Sequence, residues 1–331
     1  MNRRTLVAAV AVVLAIPACA ANAADPVQHE AAAAKRCKLQ QEPGLITVPL
    51  VSAGVDRPFL LHVPSGYNGR KPLPLVLNLH PSGGSGQQEM DVTQMGAAAD
   101  QYGFAVAAPN GAVDQGPDGY FWNVPGVPLV SGMAVPAGTP DDERYLLDVI
   151  RTTAKTLCID PDRIYLTGYS GGARMSSQMA CDYAKKIAAI APVAGLRAGV
   201  PQETSPGAWT PNLGTCSPKQ PVSVQSFHGT DDTTNPFLGN DDARWGYSVE
   251  AALARWADID RCKRGPTTGS VTPTVSLITY SRCESRTTVE LYLEQGGGHT
   301  WPGSNAPPIG SDNASALILR FFKKHSLDQR K

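Results

Sequence analysis

The sequence predicts an α/β domain in which a mostly parallel central sheet is covered by helices on both faces. Three observations predict it. Short, nearly continuous apolar runs such as Pro74-Leu75-Val76-Leu77-Asn78-Leu79 read as strands buried on both faces. These runs alternate along the chain with segments of helical periodicity, the order that builds parallel sheets. A serine stands at a glycine-flanked strand-to-helix junction, Gly168-Tyr169-Ser170-Gly171-Gly172.

The elements follow in chain order. Leu45–Val51 and Pro58–Val63 are β-rich, and Pro74–Leu79 is the first fully buried strand. Residues 87–101 read as one helix, and Phe104–Ala108 as the next strand. Asp141–Leu157 carries Leu146, Val149, Ile150 and Leu157 at helical spacing, with Asp141 and Asp142 as start signals. Ile164–Thr167 leads into the serine turn, and Ala173–Tyr183 is the helix after it. Ile187–Val193, Val222–Phe227 and Thr288–Leu293 complete the strands. Glu250–Ala257 and Ala314–Lys324 complete the helices. Gly111–Pro140 and Ala194–Pro221 are rich in Gly and Pro, and are expected to wall a substrate cleft.

The first residues read as an export signal. Arg3 and Arg4 precede an apolar run from Leu6 to Pro17, and Ala21-Asn22-Ala23 supplies small residues for cleavage. The expected organisation is a signal peptide over 1–23, a flexible tail over 24–40, and one catalytic domain over 41–331. A lipoprotein anchor at Cys19 is the rival reading, with Pro17 a poor fit to it. No later stretch is apolar enough to span a bilayer.

Removing 1–23 removes two arginines from 29 basic residues and none of the 29 acids, so the charge becomes 27 − 29 = −2. A chain so near neutrality carries no basic footprint for nucleic acid. Of seven cysteines Cys19 leaves with the signal, and the other six form no CxxC pair. An even set in an exported chain suggests disulfides rather than zinc chemistry, and no metal or cofactor is expected. Sequence proximity favours Cys262–Cys283, with Cys181–Cys216 and Cys37–Cys158 as further pairings.

The chemistry is carried by three motifs. In a nucleophile elbow a sharp turn presents the serine, and glycines keep the turn free of crowding; Ser170 fits that place. A serine hydroxyl needs a base within reach, and His299 in Gly296-Gly297-Gly298-His299-Thr300-Trp301 can be that base. A carboxylate must hold the other ring nitrogen. Asp232, just past the strand ending at Phe227, is the expected acid; Asp231 is the runner-up, and Asp241 and Asp242 rank lower. Serine, acid, histidine is the chain order of α/β-hydrolases, so the fold class is narrowed to that fold.

Oxyanion donors are expected at the backbone of Gly171 and in the loop His80-Pro81-Ser82-Gly83-Gly84. Proline has no N–H, which leaves Ser82, with Gly83 behind it. Trp122, Tyr169 and Trp301 are candidate substrate-contact residues, Trp301 lying two positions beyond His299.

These motifs resemble a group of secreted esterases that includes polyhydroxybutyrate depolymerases, feruloyl esterases and acetylxylan esterases. The matching runs are Cys158-Ile159-Asp160-Pro161, Arg163 through Ala173, Ala188 through Gly195, His228-Gly229-Thr230 with Asp232, and Gly296 through Gly303. The resemblance covers roughly residues 45–325. It implies an α/β-hydrolase fold, no metal, a triad of Ser170, Asp232 and His299, and the Cys262–Cys283 pairing. One departure is His80-Pro81, where the group has His-Gly. The expected activity is hydrolysis of carboxylic esters, on soluble or oligomeric substrates, through an acyl-enzyme. Amide hydrolysis in a polymer such as poly(aspartic acid) is the alternative open to the same triad. A non-catalytic hydrolase-like binding protein is disfavoured by the complete set of three residues.

Overall fold

The computed structural model describes residues 39–130 and 132–330. The expected signal peptide, most of the expected tail, and Cys19 and Cys37 lie outside the described residues.

The chain opens with β1 (Gly44–Val48), a two-residue ribbon of β2 (Val51–Ser52) and β3 (Val55–Asp56), and then β4 (Phe59–Val63). β5 (Leu73–Leu79) is the expected apolar run. The single helix expected over 87–101 is two, α1 (Gly86–Thr93) and α2 (Met95–Tyr102). They break at Gln94, whose φ of 51° is left-handed and cannot continue a right-handed helix. β6 (Ala105–Ala108) follows, then a small ribbon of β7 (Val113–Asp114) and β8 (Tyr120–Phe121).

α3 (Asp142–Thr156) starts where the sequence signals it, with Asp141 Oδ1 accepting from the Arg144 N–H at 3.0 Å. β9 (Ile159–Tyr169) runs into the serine turn, and α4 (Gly171–Tyr183) leaves it. β10 (Ala189–Val193) is followed by a surface hairpin of β11 (Pro201–Ser205) and β12 (Ala208–Pro211). β13 (Ser223–Gly229), α5 (Val249–Ile259), β14 (Arg264–Ser270), β15 (Val275–Ser281), β16 (Val289–Glu294) and α6 (Ala314–Phe322) complete the chain.

Ten strands form the central sheet in the order β1-β4-β6-β5-β9-β10-β13-β16-β15-β14. The six from β6 to β16 are mutually parallel, and two antiparallel strands flank them at each edge. Alternation along β5 sends Leu75, Leu77 and Leu79 into one apolar core and Val76 into another, so the two cores lie on opposite faces. α3, α4 and α5 cover the first face through Leu146, Met179 and Trp256. α1, α2 and α6 cover the second through Met90, Met95 and Phe322. The fold is α/β-hydrolase-like.

Two disulfides lie within the described residues. Cys181–Cys216 ties the end of α4 to the segment before β13, and Cys262–Cys283 closes the open end of the β14–β15 hairpin. Parallel pairing gives β5, β9, β13 and β16 a common direction, so the segments that follow them, holding Ser82, Ser170, Asp232 and His299, gather at one edge of the sheet.

Candidate active site

Ser170 occupies a strained turn. Its φ of 54° and ψ of −111° are foreign to either flanking element. Its N–H donates to the Val193 carbonyl at 2.9 Å, which pins the turn to β10. A Cβ on Gly168 would stand 2.6 Å from the Gly172 carbonyl carbon, and a Cβ on Gly172 would fall on the Leu79 carbonyl. Strand, turn and helix meet too closely here for any side chain at either position.

Asp232 is buried in the turn after β13. Its Oδ1 accepts from the N–H groups of Thr234 (2.9 Å) and Asn235 (2.8 Å). Its Oδ2 lies 2.7 Å from His299 Nδ1. Burial acts to raise this carboxyl, but the His299 hydrogen bond and charge, with the Asn235 amide, hold it below the ordinary aspartate value. Asp231 is exposed and is bonded instead by the Thr230 hydroxyl at 3.0 Å. Of the two neighbouring acids, therefore, only Asp232 meets the imidazole.

His299 is held against the residue before Ser170. The Tyr169 ring stacks on its imidazole with centroids 4.9 Å apart, and the Tyr169 hydroxyl donates to the His299 carbonyl at 2.6 Å. With Nδ1 committed to Asp232, Nε2 is the ring nitrogen left for chemistry. Among the described residues no hydrogen bond joins His299 to Ser170; Ser170 Oγ instead accepts from Asn235 Nδ2 at 3.4 Å. Such catalytic hydrogen bonds are often long without substrate and tighten on binding.

The loop after β5 supplies main-chain donors. A Cβ on Gly171 would stand 3.0 Å from Ser82 N, so the Gly171 and Ser82 backbones face each other across the head of α4. The Gly83 N–H donates to the Tyr120 carbonyl (3.0 Å) and the Gly84 N–H to the Pro81 carbonyl (2.9 Å), which leaves Ser82 as the candidate donor in this loop. His80 anchors the loop from beneath. Its Nδ1 donates to the Pro81 carbonyl at 2.8 Å, and its Nε2 accepts from the Gly111 N–H at 2.9 Å. Burial pushes its pKa down to about 4, so the ring is neutral at neutral pH and keeps this one tautomer. Pro81 thus serves as an acceptor in the position where the resembling group has glycine.

One of the aromatic expectations needs correction. Trp301 has no exposed surface; it is packed under the site, edge-on to Tyr169, with its Nε1 donating to Ser315 Oγ at 3.2 Å. It cannot touch substrate. Trp122 is buried as well, stacked on His80 at 4.7 Å with its Nε1 donating to the His80 carbonyl at 2.8 Å. Both indoles brace the loops around the site; Trp122 also lines a recess beside Ser82 and Gly171, so the correction falls on Trp301. Tyr169 is mostly buried and spends its hydroxyl on His299.

Two residues of the site escaped sequence reasoning. Asn235 Nδ2 donates to the Ala194 carbonyl at 2.5 Å as well as to Ser170 Oγ. His228 Nε2 donates to the Asn235 carbonyl at 2.8 Å and lies 3.5 Å from Asp232 Oδ2. Burial lowers the His228 pKa to about 4, so it is a neutral support. The only sequence signal for Asn235 was its place three residues past Asp232 in a turn-forming run. Of the two expected cleft walls, 111–140 contributes Phe121, Trp122, Val124 and Leu129 to this shallow recess beside Ser82 and Gly171; 194–221 contributes nothing to its lining. Among the described residues no group of three or more metal-ligating side chains converges.

Residues 58–206 match the family model described as esterase PHB depolymerase. Over 250 residues the chain is 32% identical to feruloyl esterase B of Piromyces equi, covering 73% of this chain and 42% of that protein. It therefore spans less than half the length of that relative. Feruloyl esterase D of Neurospora crassa is 25% identical over 279 residues, covering 82% of this chain and 83% of its own. The solved acetyl xylan esterase from Aspergillus awamori superposes with a TM-score of 0.57 at 16% identity, over 85% of this chain and 99% of that one. This last likeness is one of fold.

Proposed function

We propose that this chain, whose residues 58–206 belong to the esterase PHB depolymerase family, is a serine hydrolase that cleaves carboxylic esters through an acyl-enzyme. The observation that carries this reading is the 2.7 Å contact between Asp232 and His299, with the His299 ring stacked on the residue next to Ser170.

In this reading Ser170 Oγ attacks the ester carbonyl while His299 Nε2 takes the hydroxyl proton. Asp232 holds Nδ1–H and stabilises the imidazolium. The Gly171 and Ser82 N–H groups receive the oxyanion, each such donor contributing about 2.7–4 kcal/mol to the transition state. The tetrahedral intermediate collapses, the C–O bond breaks, and His299 returns the proton to the departing alcohol. Water then adds to the acyl-enzyme by the same route, releasing the acid and restoring Ser170. The substrate class is an ester-bearing small molecule or oligomer, of the feruloyl, acetyl or hydroxyalkanoate kind.

The protein is exported in this reading, as a single catalytic domain over 41–331 released from the 1–23 signal. The Cys181–Cys216 and Cys262–Cys283 disulfides suit an oxidising compartment. The test is turnover of p-nitrophenyl acetate and butyrate by wild type and Ser170→Ala. The variant is expected to lose activity roughly a million-fold. Equal rates would refute the reading.

A further inference from the structure

The recess beside Ser82 and Gly171 has a cationic wall. Arg174, one helical turn beyond Ser170 on α4, lines it together with Arg244. The Arg174 side chain is buried, with its guanidinium carbon 3.9 Å from the centroid of the Trp245 ring. Its Nε has no hydrogen-bond partner, and no carboxylate lies within ion-pairing distance of it among the described residues. Arg197 stands against the same indole at 4.6 Å, and its Nη2 is also without a partner. Arg244 is paired by its Nε to both oxygens of Asp242 at 2.9 Å.

Three guanidinium groups are thus gathered here. The acids acting on them are Asp242 and, on Arg197 only, Asp232; Tyr247 faces both Arg174 and Arg197. The cluster is a net cation. Mutual repulsion with Arg197 and Arg244 adds to the cost of burying Arg174, so a buried guanidinium with an idle N–H is an expensive arrangement. An anion in the recess would offset that cost.

The recess also has a direction. Its lining includes both candidate oxyanion donors but neither Ser170 nor His299, and in the proposed mechanism it is His299 that serves the departing alcohol. The acyl group is what would enter it. We propose that the acyl pocket recognises a free carboxylate, with Arg174 as the specificity-determining residue and Arg244 assisting, so that the favoured substrates are half-esters of dicarboxylic acids. This inference rests on the esterase reading above.

The test compares monoethyl with diethyl esters of succinic, glutaric and adipic acid, followed by NMR of the released ethanol. For at least one chain length the wild type is expected to favour the half-ester by about tenfold or more in kcat/KM, the scale of a charge-assisted contact. Arg174→Gln should abolish that ratio and Arg174→Lys should restore part of it. Raising NaCl from about 0.05 to about 1 M should reduce the ratio in the wild type, a readout independent of whether any variant folds. Diesters cleaved as fast as half-esters at every length, or a ratio untouched by Arg174→Gln, would overturn the acyl-pocket inference and leave the esterase reading standing. Cleavage of neither set, together with inert p-nitrophenyl esters, would remove the esterase reading itself.

Discussion

The Tyr169 ring lies 4.9 Å from the His299 imidazole, and its hydroxyl donates to the His299 backbone carbonyl at 2.6 Å. One side chain therefore fixes the imidazole by its face and the loop that carries it by its tip. Because Tyr169 directly precedes Ser170, the same residue links the expected base to the expected nucleophile. Tyr169→Phe keeps the stack and loses the hydrogen bond, which is worth about 1 kcal/mol. We expect kcat to fall roughly fivefold with KM nearly unchanged. Tyr169→Ala should lower kcat much further. Steady-state kinetics on a p-nitrophenyl ester would check both.

Asp232→Asn should lower kcat roughly ten-thousand-fold, because an amide cannot hold the imidazole in the required tautomer or stabilise its charge. Asp231→Asn should stay near wild type, its carboxylate being exposed and bonded to Thr230. A larger loss in the Asp231 variant would reverse the assignment of the acid.

The same carboxylate shapes acid stability. The Asp232 pKa in the folded state lies below its unfolded value of about 3.9. Its stabilising contribution is complete above that unfolded value and is lost as pH falls through the folded-state pKa. The fall of Tm below pH of about 4 should therefore be shallower in Asp232→Asn than in wild type.

Asp260 is the opposite case. It is buried, accepts from the Val222 N–H at 2.9 Å, and leaves Oδ2 without a partner. Burial carries its pKa up to about 7 despite help from Thr287 and Val222. Between the unfolded value and about 7 the folded state holds the extra proton, so stability falls as pH rises across that window. Asp260→Asn should raise Tm at pH of about 8 relative to wild type and bring no such gain at pH of about 4. Differential scanning fluorimetry at the two pH values is the check.

Gly172→Ala would drive a methyl group into the Leu79 carbonyl, where neither β5 nor α4 can retreat. Loss of more than about 4 kcal/mol of stability is expected, seen as insoluble protein or a collapsed denaturation midpoint. A soluble, active variant would show that the turn has room for a methyl group after all.

Much of this was legible in the sequence because burial leaves a pattern. β5 and β10 are buried between two helical layers, and their apolar runs announce them. The α3 start was legible because Asp141 caps it locally. β14 was not: Arg264-Gly265-Pro266-Thr267-Thr268-Gly269-Ser270 is exposed at every position on the sheet edge, where no apolar alternation is required. The break at Gln94 was equally silent, since the residue types around it favour one continuous helix.

Within the site, the same distinction holds. Ser170, Asp232 and His299 carry motifs whose local turns are visible in the chain. Asn235 is defined by contacts with Ala194 and Ser170, far away in sequence, and the Arg174–Trp245 stack likewise. Nearness in sequence misled in one instance. Trp301 is two residues from His299, but packing against Ser315 of α6 turns its indole inward.

The central claim is that Ser170 is made nucleophilic by its surroundings, and covalent labelling tests it most directly. Treatment with a fluorophosphonate, followed by intact-mass and peptide-mapping mass spectrometry, should give one adduct per chain, on the peptide that holds Ser170. Labelling should vanish in Ser170→Ala and slow strongly in Asp232→Asn. Full-rate labelling of Ser170→Ala, or an adduct confined to another serine, would contradict the account.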